Sequence, residues 1–279
     1  MFLNKKLIKF FGFHVLLIGM FLICNHSGYA ASSDWLATFY SNGNFSGKKV
    51  EKTYKNIDFN WGQKSPVEGI SSSSYSVHFV RNMYFNEGAY NLRVWANGGV
   101  QVYVDGKLEI NALNNNSKKF FGKPIYLKQG NHKIEIKFKR LNNSASIQFE
   151  IDDLLRDNRW YGLAFPKDDL SGEPVLLGYQ PQIPELNFDW GWGSPAKGIP
   201  SDRFSTLFQR KITVEEGAYN LRVYANDGVQ VYVNGKLEID AWNNDQGLKF
   251  FGKPIYLKKG THTILIKHKE LTGETGRTL

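Results

Sequence analysis

The heptapeptide GAYNLRV occurs twice in this chain of 279 residues, at Gly88–Val94 and at Gly217–Val223. FFGKPIYLK follows each copy, at Phe120–Lys128 and Phe250–Lys258. Upstream, Phe59-Asn60-Trp61-Gly62 matches Phe188-Asp189-Trp190-Gly191, and Pro66…Gly69-Ile70 matches Pro195…Gly198-Ile199. Further back, Trp35…Gly47…Val50 aligns with Trp160…Gly172…Val175, four residues closer than the later matches, which places an insertion between Val175 and Phe188. The two heptapeptides lie 129 residues apart (217 less 88). That is far longer than the ~20–50 residues of a solenoid unit and is the length of a whole domain. The chain therefore reads as two homologous domains, 32–151 and 157–279, joined by a short charged linker around Asp152–Asn158.

Each copy has the pattern of strands. Val229, Val231 and Val233 alternate with polar residues before Asn234-Gly235, a two-residue hairpin turn. The same holds for Val100, Val102 and Val104 before Asp105-Gly106. No stretch sustains helical periodicity, so the expected class is all-β, two tandem sandwich or barrel domains. His132 and His262 fall in phase with the apolar face of their strands, and no zinc-type spacing surrounds them, so both read as structural. Trp61 and Trp190 read as core.

The first thirty residues have another character. Lys5, Lys6 and Lys9 precede an apolar run from Phe10 to Cys24, and Gly28-Tyr29-Ala30 supplies small residues for cleavage, the pattern of a secretory signal peptide over 1–30. The run falls short of the ~20 residues a bilayer span needs, so no stable membrane span is expected after cleavage. Cleavage removes the single cysteine, Cys24, and three lysines, taking the formal charge from +9 to +6 (nine less three). This modest basic balance, with no Lys/Arg-rich run, argues against nucleic acid as a partner. A secreted or extracellular-surface location follows. Copy one closes on the alternating strand Ala145–Ile151, whereas Thr272–Leu279 offers no apolar replacement, so copy two is expected to lack its last strand and the chain to be a fragment of a longer product.

Each copy opens with Trp, continues through aromatic-x-Trp-Gly…Pro…Gly-Ile, and then carries a Gly-x-Tyr strand and a V-x-V-Y-V hairpin. It ends on Leu-Lys-x-Gly-x-His-x-Ile. In this the chain resembles the protective-antigen-type (PA-fourteen) domain family over nearly its whole mature length, twice. The resemblance implies a β-sandwich found in bacterial toxins, beside glycosidase domains and in adhesins. It also implies binding of a glycan or cell-wall polysaccharide with calcium held by adjacent acids at the start of the hairpin. Those positions are Asn226-Asp227 in copy two and Asn97-Gly98 in copy one; neither copy has two consecutive acids.

The copies differ at three such positions in one direction: Asp227, Asp240 and Trp242 stand against Gly98, Asn111 and Leu113. Asn226, Asp227, Asp240 and Trp242 thus form the expected ligand site, with Asn226 and Asp227 as calcium ligands. An indole can stack on a sugar face while carboxylates accept its hydroxyls. The alternative is that Asp227 orders a tight turn and Trp242 is core. Asp105 against Asn234 reads as neutral, since both serve a type I′ turn. No nucleophile elbow or metalloprotease helix is present, so no enzyme is expected. The expected function is non-catalytic carbohydrate binding and adhesion; the alternative is a protein-docking or autoinhibitory region of a larger toxin or surface assembly.

Overall fold

The computed structural model describes residues 34–155, 159–179, 186–245 and 247–272. The expected leader, part of the linker, part of the insertion and most of the closing stretch of copy two lie outside these. Among the described residues there are eighteen strands and no helix.

Copy one comprises β1 (Trp35–Tyr40), β2 (Lys49–Tyr54), β3 (Ile57–Gly62), β4 (Ser76–Phe85), β5 (Gly88–Asn97), β6 (Gly99–Val104), β7 (Lys107–Ala112), β8 (Lys118–Leu127), β9 (Gly130–Lys139) and β10 (Ala145–Asp153). They form two antiparallel sheets, in the orders β2-β1-β4-β9-β6-β7 and β3-β10-β5-β8. Copy two repeats the plan with β11 (Tyr161–Phe165), β12 (Val175–Tyr179), β13 (Phe204–Val214), β14 (Gly217–Ala225), β15 (Gly228–Val233), β16 (Lys236–Ala241), β17 (Lys249–Leu257) and β18 (Gly260–Glu270). Its larger sheet runs β12-β11-β13-β18-β15-β16, and among the described residues its second sheet holds β14 and β17.

The period-2 alternation maps directly onto burial. Val229, Val231 and Val233 are buried while Gln230 and Tyr232 between them are half-buried. The turn residues Asn234 (φ 52°) and Gly235 (φ 78°), like Asp105 (φ 50°) and Gly106 (φ 81°), sit in the left-handed region that a type I′ hairpin demands. The aromatic-x-Trp-Gly motif builds the core. Phe59 stacks on Trp61 (4.9 Å) and on Phe79 (5.7 Å), and Phe188 does the same with Trp190 (5.1 Å) and Phe208 (4.9 Å). Such offset stacks add to area burial and fix how the two sheets of a sandwich meet.

Candidate functional site

Gly98 has φ 139°, and a Cβ there would meet Lys139 O and the Phe138 ring at 2.7 Å. Copy one cannot carry a side chain at this position. In copy two Phe138 is replaced by His268 and Arg140 by Glu270. The smaller ring leaves room for Asp227, which takes φ 60°, a conformation Asp tolerates better than most residues. The Gly-to-Asp difference is thus one part of a three-residue exchange.

Several elements pin the Asn226–Asp227 turn. His268 Nε2 donates to Asn226 O (2.9 Å), Asn244 Nδ2 donates to Asp227 O (3.0 Å), and Leu271 N donates to Asp227 Oδ2 (2.8 Å). Asn226, Asp227, His268 and Glu270 are all buried. Neither carboxyl oxygen of Glu270 has a hydrogen-bond partner within geometric limits. Burial, then the adjacent Asp227 charge, push the Glu270 carboxyl up to about 8, so it is mostly a neutral acid at pH 7. Burial holds the His268 imidazole below its usual range, against the pull of its bond to Asn226 O and of Asp227.

Asp240 and Trp242 lie differently. Asp240 is exposed; its Oδ1 accepts from Gln230 Nε2 (3.0 Å) and from Trp242 N (3.3 Å). Trp242 is half-buried with Lys269 Nζ 5.2 Å from its ring centre. Asn111 accepts from Gln101 in the same way (3.0 Å), so the Asp240 side chain keeps a bond both copies make and adds a charge to it. The structure does not join Asp227 and Asp240 as a carboxylate pair: one is inside, with Glu270, and the other is at the surface beside Trp242.

Sequence reasoning missed Trp192. Among the described residues it is the most exposed large apolar side chain, at 74%, and it stands where copy one has Gln63. Its neighbour Trp190 packs 6.1 Å from His268, which puts the Trp190–Trp192 loop at the same end of the sandwich as the Asn226–Asp227 turn. Comparing Gln63 with Trp192 as Leu113 was compared with Trp242 would have found it. Glu270 was equally legible as the partner of Arg140.

The structure also gives the Asp105/Asn234 exchange a consequence. Asp105 Oδ1 and Asn234 Oδ1 each accept a backbone N–H, from Lys133 (2.8 Å) and Thr263 (3.0 Å). Their second atoms meet His132 Nδ1 (2.6 Å) and His262 Nδ1 (2.8 Å), and both rings reach a carbonyl through Nε2. His132 therefore has oxygen acceptors at both nitrogens. His262 has an amide donor at Nδ1 and is satisfied as the neutral ring protonated on Nε2.

A cation at the Asp227–Glu270 pair was tested against these atoms. No three His, Cys, Asp or Glu residues gather as a metal-binding group among the described residues. The Asp227 and Glu270 carboxyl groups would supply oxygens to a hard cation only once Glu270 had lost its proton.

The PA14 domain model matches residues 33–153 and 160–277. The anti-sigma-I factor RsgI3 of Acetivibrio thermocellus is 25% identical over 227 residues, covering 74% of this chain and 35% of that protein. The chain thus spans about a third of that relative's length. Among solved structures, an anti-sigma factor domain-containing protein from Clostridium clariflavum is 20% identical, with 87% of this chain and 92% of that one covered and a TM-score of 0.40. A PA14 sugar-binding domain from an RTX adhesin is 18% identical, with 44% and 91% covered and a TM-score of 0.35. With both matched segments together spanning most of its length, the chain belongs to the PA14 domain family, as a tandem pair.

Proposed function

We propose that this chain is a non-catalytic carbohydrate-binding protein of the cell exterior, and that copy two binds through its loop end. The observation that carries the reading is Trp192: an indole left 74% exposed forgoes burial that a core would reward, and it shares that end with Trp242 and Asp240, all three absent from copy one. Trp192 and Trp242 supply stacking faces, and the Asp240 carboxylate, fixed to the Trp242 backbone, accepts sugar hydroxyls. Calcium, when bound, would displace the Glu270 proton, balance the two carboxylates and stiffen the Asn226–Asp227 turn. In this reading the buried pair holds the loop and the surface residues contact the sugar.

Glycan-array binding with and without a chelator tests the proposal. Trp192→Ala and Asp240→Ala are expected to weaken binding by about tenfold or more, one aromatic or charged contact being worth on the order of 1.4 kcal/mol. Asp227→Ala should remove any chelator sensitivity, and Asp105→Ala should change nothing. Absence of binding to every glycan would overturn the reading.

A second reading, a protein-docking region, has one observation of its own. In copy one Glu87, Ala89 and Tyr126 are covered by copy two, whereas their counterparts Glu216, Ala218 and Tyr256 are open, Tyr256 at 63% exposure. Under this reading, Tyr256→Ala would abolish capture of a protein partner and leave glycan binding intact.

A further inference from the structure

Both copies carry an aromatic pair on the outer face of the smaller sheet. In copy one Trp95 on β5 faces Phe120 on β8, ring centres 5.0 Å apart; in copy two Tyr224 on β14 faces Phe250 on β17 at 4.9 Å. Phe120 and Phe250 are half exposed, at 47% and 51%. Two residues along each strand, on the same face, comes a glycine. A Cβ on Gly122 would lie 2.9 Å from the Phe120 ring, and one on Gly252 would lie 2.8 Å from the Phe250 ring. The phenyl ring therefore lies down over the glycine with one face on the strand and the other turned to solvent. Glycine weakens a strand interior. Both copies place it there and both leave the ring above it uncovered.

The surroundings identify what would cover the ring. In copy one, β10 runs beside β5 with Gln148 opposite Trp95 and Glu150 opposite Arg93. Arg93 Nη1 binds Asp152 Oδ2 (2.6 Å) and lies 3.6 Å from Glu150 Oε2, its guanidinium sits 4.7 Å from the Trp95 ring centre, and Gln148 Nε2 donates to Glu150 Oε1 (3.0 Å). This is a flat aromatic surface bordered by fixed planar donors and acceptors. Arg93 is balanced by two carboxylates, so copy one's face holds no excess positive charge to recruit a polyanion. An apolar protein surface would strand these polar groups, whereas a sugar ring offers C–H bonds to the aromatic face and hydroxyls to the amide and carboxylates.

We infer that the outer faces at Trp95–Phe120 and Tyr224–Phe250 are a second carbohydrate-binding surface, taking neutral pyranose units of a polysaccharide. This rests on the carbohydrate reading above but uses different residues, present in both copies. A long polymer can meet both platforms, and loss of both then costs more than loss of either, since the second contact is intramolecular.

Affinity electrophoresis of the full chain through gels containing a soluble β-glucan, xylan or galactomannan tests it. Three variants are compared with the wild type: Phe120→Ala/Phe250→Ala, Gly122→Ala/Gly252→Ala, and Trp192→Ala. Gly122 and Gly252 have ordinary strand backbones, so alanine lifts the ring without removing it. Both double variants are expected to melt within a few degrees of the wild type and to bind about tenfold or more weakly. If both bind like wild type while Trp192→Ala fails, the sheet surface is overturned and the loop-end reading stands. If the wild type binds none of the polysaccharides, or only a protein, both readings fall.

Discussion

Glu270 shows how one buried side chain makes copy two sensitive to pH. Its carboxyl sits at about 8 in the fold against an ordinary 4.5, so the folded chain holds a proton that the unfolded chain releases between those values. The stability this group contributes is complete below 4.5 and is lost as pH rises through about 8, at up to about 1.4 kcal/mol per pH unit. His268 acts in the opposite sense: held below 6.5, it costs stability only as pH falls below that value. Among the described carboxyl and imidazole groups with a shift, Glu270 is the one whose shift spans pH 6.5 to 8. Glu270→Gln should therefore flatten the decline of the melting temperature over this range while matching the wild type near pH 5, as read by calorimetry. An unchanged slope would show that the carboxyl titrates normally. The Asp227–Gly98 difference was visible in the two copies of the sequence, but not its meaning. Phe138 stands some forty residues away and only the fold brings it to Gly98, so the sequence leaves Asp227 open between a ligand and a residue that orders the turn, and the fold places it inside, with Glu270.

At the scale of elements, the strands were legible because alternation and hairpin turns are local signals, and Asn234-Gly235 and Asp105-Gly106 took the turn type their residues require. What each strand touches is not local. β5 and β14 are nearly identical in sequence, yet β5 lies between β10 and β8, whereas β14 pairs with β17 alone among the described residues. Leu92 is fully buried and its counterpart Leu221 is half-buried, as are Gly88 and Gly217 respectively. Where β17 is β14's only partner, as it is among the described residues, β14 opens locally at lower cost. Hydrogen–deuterium exchange should protect β5 amides through the global unfolding limit and exchange β14 amides at least about tenfold faster, the ratio for 1.4 kcal/mol of local stability. Equal protection of the two would mean that β14's second edge is covered as well as β5's.

The two copies also meet, through positions at which their sequences differ. Thr38, His78 and Glu135 of copy one correspond to Leu163, Leu207 and Leu265 of copy two, all three buried in a cluster with Ala89 and Leu154. Phe165 packs edge-on to Tyr126 at 5.6 Å, Glu173 bridges Lys107 (3.2 Å) and Lys123 (2.6 Å), and Lys267 binds Glu87 (2.6 Å). Reading the polar-to-leucine changes as a docking face, rather than as drift, would have found it. At its centre Gln209 acts as a strand residue would: Ala89 N donates to its Oε1 and its Nε2 donates to Ala89 O, both at 2.9 Å and both buried. Gly88 leaves room for it: a Cβ there would lie 2.7 Å from that same oxygen and would displace the amide. Copy one has Val80 at the matching position, so Gln209→Val keeps a residue that this strand accepts and removes only the amide. Leu154 N still reaches Ala89 O (3.2 Å), which leaves the Ala89 N–H as the one group orphaned. An unpaired buried donor costs about 1–3 kcal/mol, and all of it falls on the junction. The wild type should then unfold in one transition and Gln209→Val in two. A single transition at an unchanged midpoint would show that the copies are held together by the leucine cluster and the ion pairs, with Gln209 contributing nothing of its own.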